Sequence, residues 1–207
     1  MNKKMKDEFD IMLDIETLGV ERNSIILSVG AVAFNIRETD PDKTIIDTYQ
    51  AFIDPMDCEK KGLICNVSTV LWWFDCNPEA RSKIIDGPNV SLKACLNGLN
   101  DFFRAGTITP ISGQYSSLRV WANSPSFDCA ILANAYSVCA MKKPWAYTEE
   151  RDVRTLVSLG KIMGFDLEHV DSEEEYIRHD SLDDAISQSL KVSRLYNLLS
   201  QKHLHDD

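Results

Sequence analysis

Three strand-like runs precede the first clear helix of this chain, and they limit its architecture more than any other feature. Residues 9–16 read as a buried strand, apolar at Ile11, Met12, Leu13 and Ile15. Residues 24–34 (Ser-Ile-Ile-Leu-Ser-Val-Gly-Ala-Val-Ala-Phe) form a second, rich in β-branched side chains. After the turn-forming Asp40-Pro41-Asp42, a third runs over about 44–53. Short connections make these strands antiparallel neighbours. The signals then turn helical. Asn66 or Ser68 can cap a helix through Trp72 and Trp73, and Asn77-Pro78-Glu79 opens another. Leu92, Cys95, Leu96, Leu99, Phe102 and Phe103 mark one face of a helix over 91–104.

Residues 118–122 are again strand-like, and Ser124-Pro125 starts a helix to about Cys139. An extended piece near Trp145 leads into a helix over about 150–163, and the last helix covers 182–199. A parallel strand reached through a crossover helix, added to a meander, predicts an α/β fold. Its core is a mixed five-stranded sheet, three antiparallel strands plus two parallel, flanked by helices. One domain is expected for 207 residues, with a core over about 9–200 and short flexible termini. The polar stretch 166–178, with Glu173, Glu174 and Glu175, is expected to be a mobile loop beside His179.

Composition narrows the function classes. Hydrophobic residues are 44% and charged residues 26%, the balance of a soluble globular protein. No apolar run approaches a membrane span, and the first residues lack a signal-peptide core, so a cytoplasmic location is expected and no membrane partner. The six cysteines contain no Cys-x-x-Cys pair, which favours reduced, packed thiols and leaves any metal to oxygen ligands. A net charge of −10 argues against a protein that coats duplex DNA with a broad basic face. An enzyme that grips only a strand end needs a basic pocket instead.

The chemistry-bearing residues fall in four short strings. Asp14 and Glu16 are two apart on a strand and share a face. Carboxylates so placed repel each other unless a cation sits between them. A solvated pair at a strand edge is the alternative; the apolar strand around them opposes it, as do Thr17 and Gly19, which suit close approach of backbone to a ligand. Asp128 falls in a first helical turn, where the helix dipole alone explains an acid. The strand before it, however, aims that turn at the sheet end holding Asp14 and Glu16. Asn123 and Ser124 in the connection are candidate nucleotide contacts.

His179 and Asp184 are five apart. With Ser181 as cap, Asp184 enters the first turn and His179 stays on the loop, where an imidazole titrating near neutral pH can reach a water. Asp180 and Asp183 read as helix-start, solvent-facing acids. Arg151 and Arg154, one helical turn apart, suit surface ion pairs or a phosphate contact, with Arg151 the candidate. Trp72 and Trp73 cannot both face the core; one packs and the other walls a nucleotide site, with Trp73 the candidate.

In this order the strings Asp14-x-Glu16-Thr17, Asn123…Phe127-Asp128, Arg151-Asp152-x-Arg154-Thr155 and His179-Asp180-x-x-x-Asp184-Ala185 resemble the motifs of the DEDDh exonucleases. The likeness covers about 9–193 and is greatest to the phage exodeoxyribonuclease A and bacterial RNase AS-like types. It departs near Cys76, where a glutamine is expected. The resemblance implies a ribonuclease H-like fold and two Mg²⁺ (or Mn²⁺) ions held by Asp14, Glu16, Asp128 and Asp184, with His179 as general base. It implies that Thr17 and Leu18 contact the terminal nucleotide. The reaction would release nucleoside 5′-monophosphates from the 3′ ends of single-stranded DNA or RNA, DNA ahead of RNA, and the resembled group is often homodimeric. A haloacid-dehalogenase-like phosphatase would need an aspartate at position 16 and alternating strands and helices. A non-catalytic binding module on the same fold would have lost a metal ligand, and none is lost.

Overall fold

The computed structural model describes residues 8–107, 117–165 and 176–202. Most of the expected mobile loop, 166–175, and the expected flexible ends, 1–7 and 203–207, lie outside the described residues. The three leading strands form as expected: β1 (Glu8–Thr17), β2 (Ile26–Phe34) and β3 (Ile45–Ile53), each antiparallel to the next. The turn before β3 holds a short helix, α1 (Pro41–Thr44), because Asp40 caps it by accepting from the Asp42 N–H. After β3 come α2 (Pro55–Lys60), α3 (Val67–Asp75) and α4 (Pro78–Asp86), capped by Asp54, Asn66 and Asn77. The helix α2 repeats the Asp-Pro signal of α1 and went unread in the sequence.

Among the described residues the sheet has six strands rather than five, in the order β4-β3-β2-β1-β5-β6. The added strand is β4 (Asn89–Val90), which lies parallel to the end of β3. A two-residue strand has no periodicity to read. It precedes α5 (Leu92–Thr107). On the other side, β5 (Ser117–Ala122) runs parallel to β1, as the crossover argument requires, and leads into α6 (Asp128–Val138). The final strand β6 (Glu150–Asp152) replaces the expected start of a helix. Asp152 caps α7 (Val153–Ile162) through the Arg154 N–H, so the helix begins three residues later than its sequence suggests. The last helix is α8 (Ser181–Lys202).

Both faces of the sheet are covered, and β2 is accordingly buried along all 9 of its residues. Alternation along β1 sorts its side chains. Ile11, Leu13 and Ile15 join the larger core with Leu96, Leu99 and Phe103 of α5 and Ile131 and Leu132 of α6. Met12 joins the smaller core on the opposite face, with Val153 of α7 and Ala185 and Val192 of α8. The acids Asp10, Asp14 and Glu16 share Met12's parity, so they face the α7–α8 layer. Gly30 of β2 lies opposite Asp14, and a Cβ there would sit 2.1 Å from the Ser181 carbonyl oxygen. That glycine lets the start of α8 lie directly on the sheet. The six cysteines are all free thiols.

Candidate active site

Each of the four sequence strings reaches the same end of β1 by a different route. Asp14 and Glu16 arrive on the strand itself. Asp128 opens α6 just after β5, its N–H held by the Ser124 carbonyl at 3.1 Å. Ser124 does not cap with its side chain, which faces the Ser126 hydroxyl at 3.0 Å. Asp184 sits in the first turn of α8, whose N-cap is Asp180 rather than Ser181: the Asp180 carboxylate accepts from the Leu182 and Asp183 N–H groups. Asp180 is therefore buried and not solvent-facing, bonded to Gln50 at 2.9 Å and paired with Lys83 at 2.9 Å.

Burial and crowding set the electrostatics. Asp14 holds its proton far above the usual carboxylate range, through burial first and then repulsion from Asp128, Glu16 and Asp184; a hydrogen bond from Gln188 opposes the shift. Glu16 is pushed up to about 8 by burial and by Asp184 and Asp128. Burial raises Asp128 to about 7, against backbone N–H groups and the charge of Arg154. Asp184 is raised by burial and restrained by the His179 N–H. Asp10, two turns of the pleat earlier on the same face, provides the contrast. Its carboxylate takes both Arg119 Nε and Nη2 at 2.7 Å and Trp121 Nε1 at 2.8 Å. One acid on this face is neutralised by the protein, whereas Asp14 receives a neutral amide, Gln188 Nε2 at 2.9 Å.

His179 completes the cluster from the loop before α8. Its backbone takes φ of +68°, a left-handed conformation, and its N–H donates to Asp184 Oδ2 at 2.9 Å. Its Nδ1 lies 4.0 Å from Glu16 Oε1, and Glu16, His179 and Asp184 offer ligand atoms all within 4.8 Å of one another. The ring meets Trp72 edge-on, centroids 4.8 Å apart. Such a set of hard oxygen donors plus one imidazole fits a divalent cation. The buried Gln188 Oε1 beside it has no hydrogen-bond partner among the described residues.

The remaining sequence candidates divide. Trp73 is buried, 6% exposed, and donates its indole N–H to the Thr17 carbonyl at 2.9 Å, whereas Trp72 is 44% exposed. The site-facing tryptophan is therefore Trp72. With Glu16, Thr17, Gly19, Thr69 and Phe127 it lines a cavity of about 430 Å³ beside the carboxylates. Thr17 spends its hydroxyl on the Gly19 carbonyl at 2.6 Å, and Leu18 packs against the core. Arg151, on β6 rather than a helix, donates to the Thr148 and Glu150 carbonyls at 2.9 Å. Arg154, not Arg151, is the guanidinium whose charge reaches Asp128. Asn123 lines a second cavity with Arg154, Asp184 and Gln188. Gln188 escaped the sequence reading, although its spacing four after Asp184 puts both on one face of α8.

Comparison with known proteins agrees with this architecture. Residues 9–196 match the family described as the 3′-5′ exoribonuclease Rv2179c-like domain. The exodeoxyribonuclease of Enterobacteria phage T4 is 24% identical over 172 residues, covering 72% of this chain and 70% of the phage protein. Among solved structures, the nuclease domain of 3′hExo, a DEDDh family member bound to rAMP, superposes with a TM-score of 0.58 at 13% identity, covering 98% of this chain and 95% of that one. Cell-death related nuclease 4 gives 0.62 at 12% identity over 92% and 64% of the two chains. E. coli exonuclease I with a dA16 oligonucleotide gives 0.60 at 15% identity over 94% and 43%. The chain shares the ribonuclease H-like fold of the DEDDh exonucleases. By the match over nearly its whole length, the chain belongs to the Rv2179c-like 3′-5′ exonuclease family.

Proposed function

We propose that the protein is a metal-dependent 3′-5′ exonuclease that removes nucleoside 5′-monophosphates from single-stranded ends. One observation carries this reading: Asp14, Glu16, Asp128 and Asp184 converge from three separate segments of chain, Asp128 and Asp184 raising the proton affinity of Asp14 and Glu16, with His179 against Glu16 and Asp184. Bound among these carboxylates, two Mg²⁺ or Mn²⁺ ions would acidify the attacking water and stabilise the departing 3′ oxygen.

The protein's own residues do the rest. The cavity of about 430 Å³ next to Glu16 receives the terminal nucleotide, with Trp72 as an aromatic wall and the Thr17–Gly19 backbone beneath. His179, in reach of Glu16, accepts the water's proton on its imidazole. Asp184 holds the His179 N–H, and Trp72 restrains the ring edge-on, so the base is positioned before substrate arrives. Gln188 keeps the Asp14 carboxylate turned into the site.

Relatives differ in the sugar their names carry, exoribonuclease for the family and exodeoxyribonuclease for the phage protein. Stacking on Trp72 is blind to the sugar, and the Thr17 hydroxyl is committed to Gly19. Activity on both is therefore part of the proposal, with DNA ahead. A homodimer is part of it too, supported by an exposed apolar stripe on α3, Val67, Leu71 and Phe74 at 71%, 59% and 67% exposure. End-labelled single-stranded DNA and RNA, incubated side by side with Mg²⁺, Mn²⁺ or chelator, test the reading. Shortening from the 3′ end that stops in chelator is expected. Undiminished activity in excess chelator, or no shortening of either strand, would sink it.

A further inference from the structure

A second cavity of about 470 Å³ lies between α7 and α8, and its walls are basic: Arg154, Lys161, Arg178 and Lys191 line it. Asp184 is the one acid among its described lining residues. That balance is opposite to the chain's, where 32 acidic residues outnumber 22 basic ones. Helical spacing explains the arrangement. Arg154 and Lys161 are seven apart on α7, and Asp184 and Lys191 are seven apart on α8. Each pair therefore shares a helix face and spans about 10 Å along the axis. The two lysines lie two turns beyond the residues nearest the carboxylates. At the near end, Asp184 belongs to the carboxylate cluster and Gln188 donates to Asp14, and both line the cavity, so the cavity and the cluster are continuous. Asn123, Ser187 and Gln188 add neutral donors along the walls.

We propose that this cleft carries the backbone of the substrate strand upstream of the scissile bond, with Arg154 and Arg178 on the nearest phosphate and Lys161 and Lys191 on those further 5′. Successive phosphates of a stacked strand rise about 3.4 Å along its axis and lie further apart than that through space, so about 10 Å accommodates two of them. A strongly acidic protein would otherwise repel the strand it is degrading. Cations gathered in one groove give a path for a single strand without a surface attractive to duplex. The inference rests on the exonuclease reading and adds the direction in which the strand leaves the site.

The test compares wild type with Lys161→Glu and Lys191→Gln, alone and together, each checked by thermal melting. With the p-nitrophenyl ester of thymidine 5′-monophosphate, which has no upstream phosphate, rates should be unchanged. With a long single-stranded oligonucleotide, KM should rise about tenfold in the double variant. The slope of log KM against log salt should flatten by roughly 0.7 per lysine removed. Equal losses on both substrates, or no change on the oligonucleotide, would overturn the proposal. Nucleoside monophosphate inhibiting wild type but not the variants would assign the cleft to product and overturn it also. If wild type hydrolyses neither substrate, the exonuclease reading fails. The cleft is then judged by anisotropy of a labelled single strand in chelator, where unaltered binding by the variants counts against it.

Discussion

At the scale of single residues, the site is a set of groups whose ionised forms disfavour one another. A carboxyl with a higher proton affinity folded than unfolded favours the folded state while protonated. That advantage is complete below the unfolded value, about 4, and is lost as pH rises through about 8 for Glu16 and about 7 for Asp128. The metal-free protein should therefore melt at falling temperature as pH is raised from 4 to 8. Mg²⁺, which binds the ionised groups, should raise the melting temperature more at the upper end of that window. Asp14→Asn and Asp184→Asn should abolish hydrolysis yet melt no lower than wild type without metal, since each removes a repelling charge. Full activity in either variant would remove the carboxylates from the mechanism. For His179, replacement by alanine should lower turnover by roughly two to four orders of magnitude with a smaller effect on KM. An unchanged pH–rate profile in the variant would place the base elsewhere.

Among the elements, α8 and β1 must approach closely enough for Asp184 and Asp14 to share a site. Gly30 permits that contact, and Gly30→Ala would bring a Cβ within 2.1 Å of the Ser181 carbonyl oxygen. A shift of α8 follows, with a loss of about 1–3 kcal/mol. In calorimetry that is a fall of about 2–4 °C per kcal/mol. Activity should fall further than stability, because the displaced element carries Asp184 and the loop with His179. On α3 the adjacent tryptophans should separate cleanly. Trp73→Ala empties a buried position and should cost about 3–5 kcal/mol of stability. Trp72→Ala should leave melting nearly unchanged and weaken oligonucleotide binding by about 1–3 kcal/mol. Equal effects in both assays would contradict the division of labour.

For the molecule as a whole, two cavities flank one carboxylate cluster: a pocket beside Trp72, proposed above for the terminal nucleotide, and a basic cleft between α7 and α8. A strand occupying both has its last phosphodiester at the cluster. The enzyme should therefore require a free 3′ hydroxyl, stall at a 3′ phosphate and ignore a closed single-stranded circle, as gel assays with end-labelled and circular substrates would report. Rapid cutting of the circle would mean endonucleolytic entry. No helix among the described residues is long and apolar enough to cross a membrane.

The sequence by itself determined the leading meander, the parallel β5 and the order in which the acids and the histidine occur, because these rest on local periodicity and on spacing within one element. Asp14 and Glu16 could be placed on one face by strand parity alone. It also determined the cap at Asn77 and narrowed the one before Trp72 to Asn66 or Ser68, of which Asn66 accepts the nearby N–H. Tertiary structure decided the matters that involve two elements at once. The strand β4 exists only through pairing with β3. Trp72 rather than Trp73 faces the site because the Thr17 carbonyl, distant in sequence, takes the indole of the other. Asp180, read as a solvated acid, is buried because Gln50 and Lys83 arrive from β3 and α4. Arg154 displaces Arg151 because β6 ends at the Asp152 cap and sends only the later arginine toward Asp128. Periodicity records which face a residue takes on its own element. Which partner meets that face depends on packing between segments that no local pattern encodes.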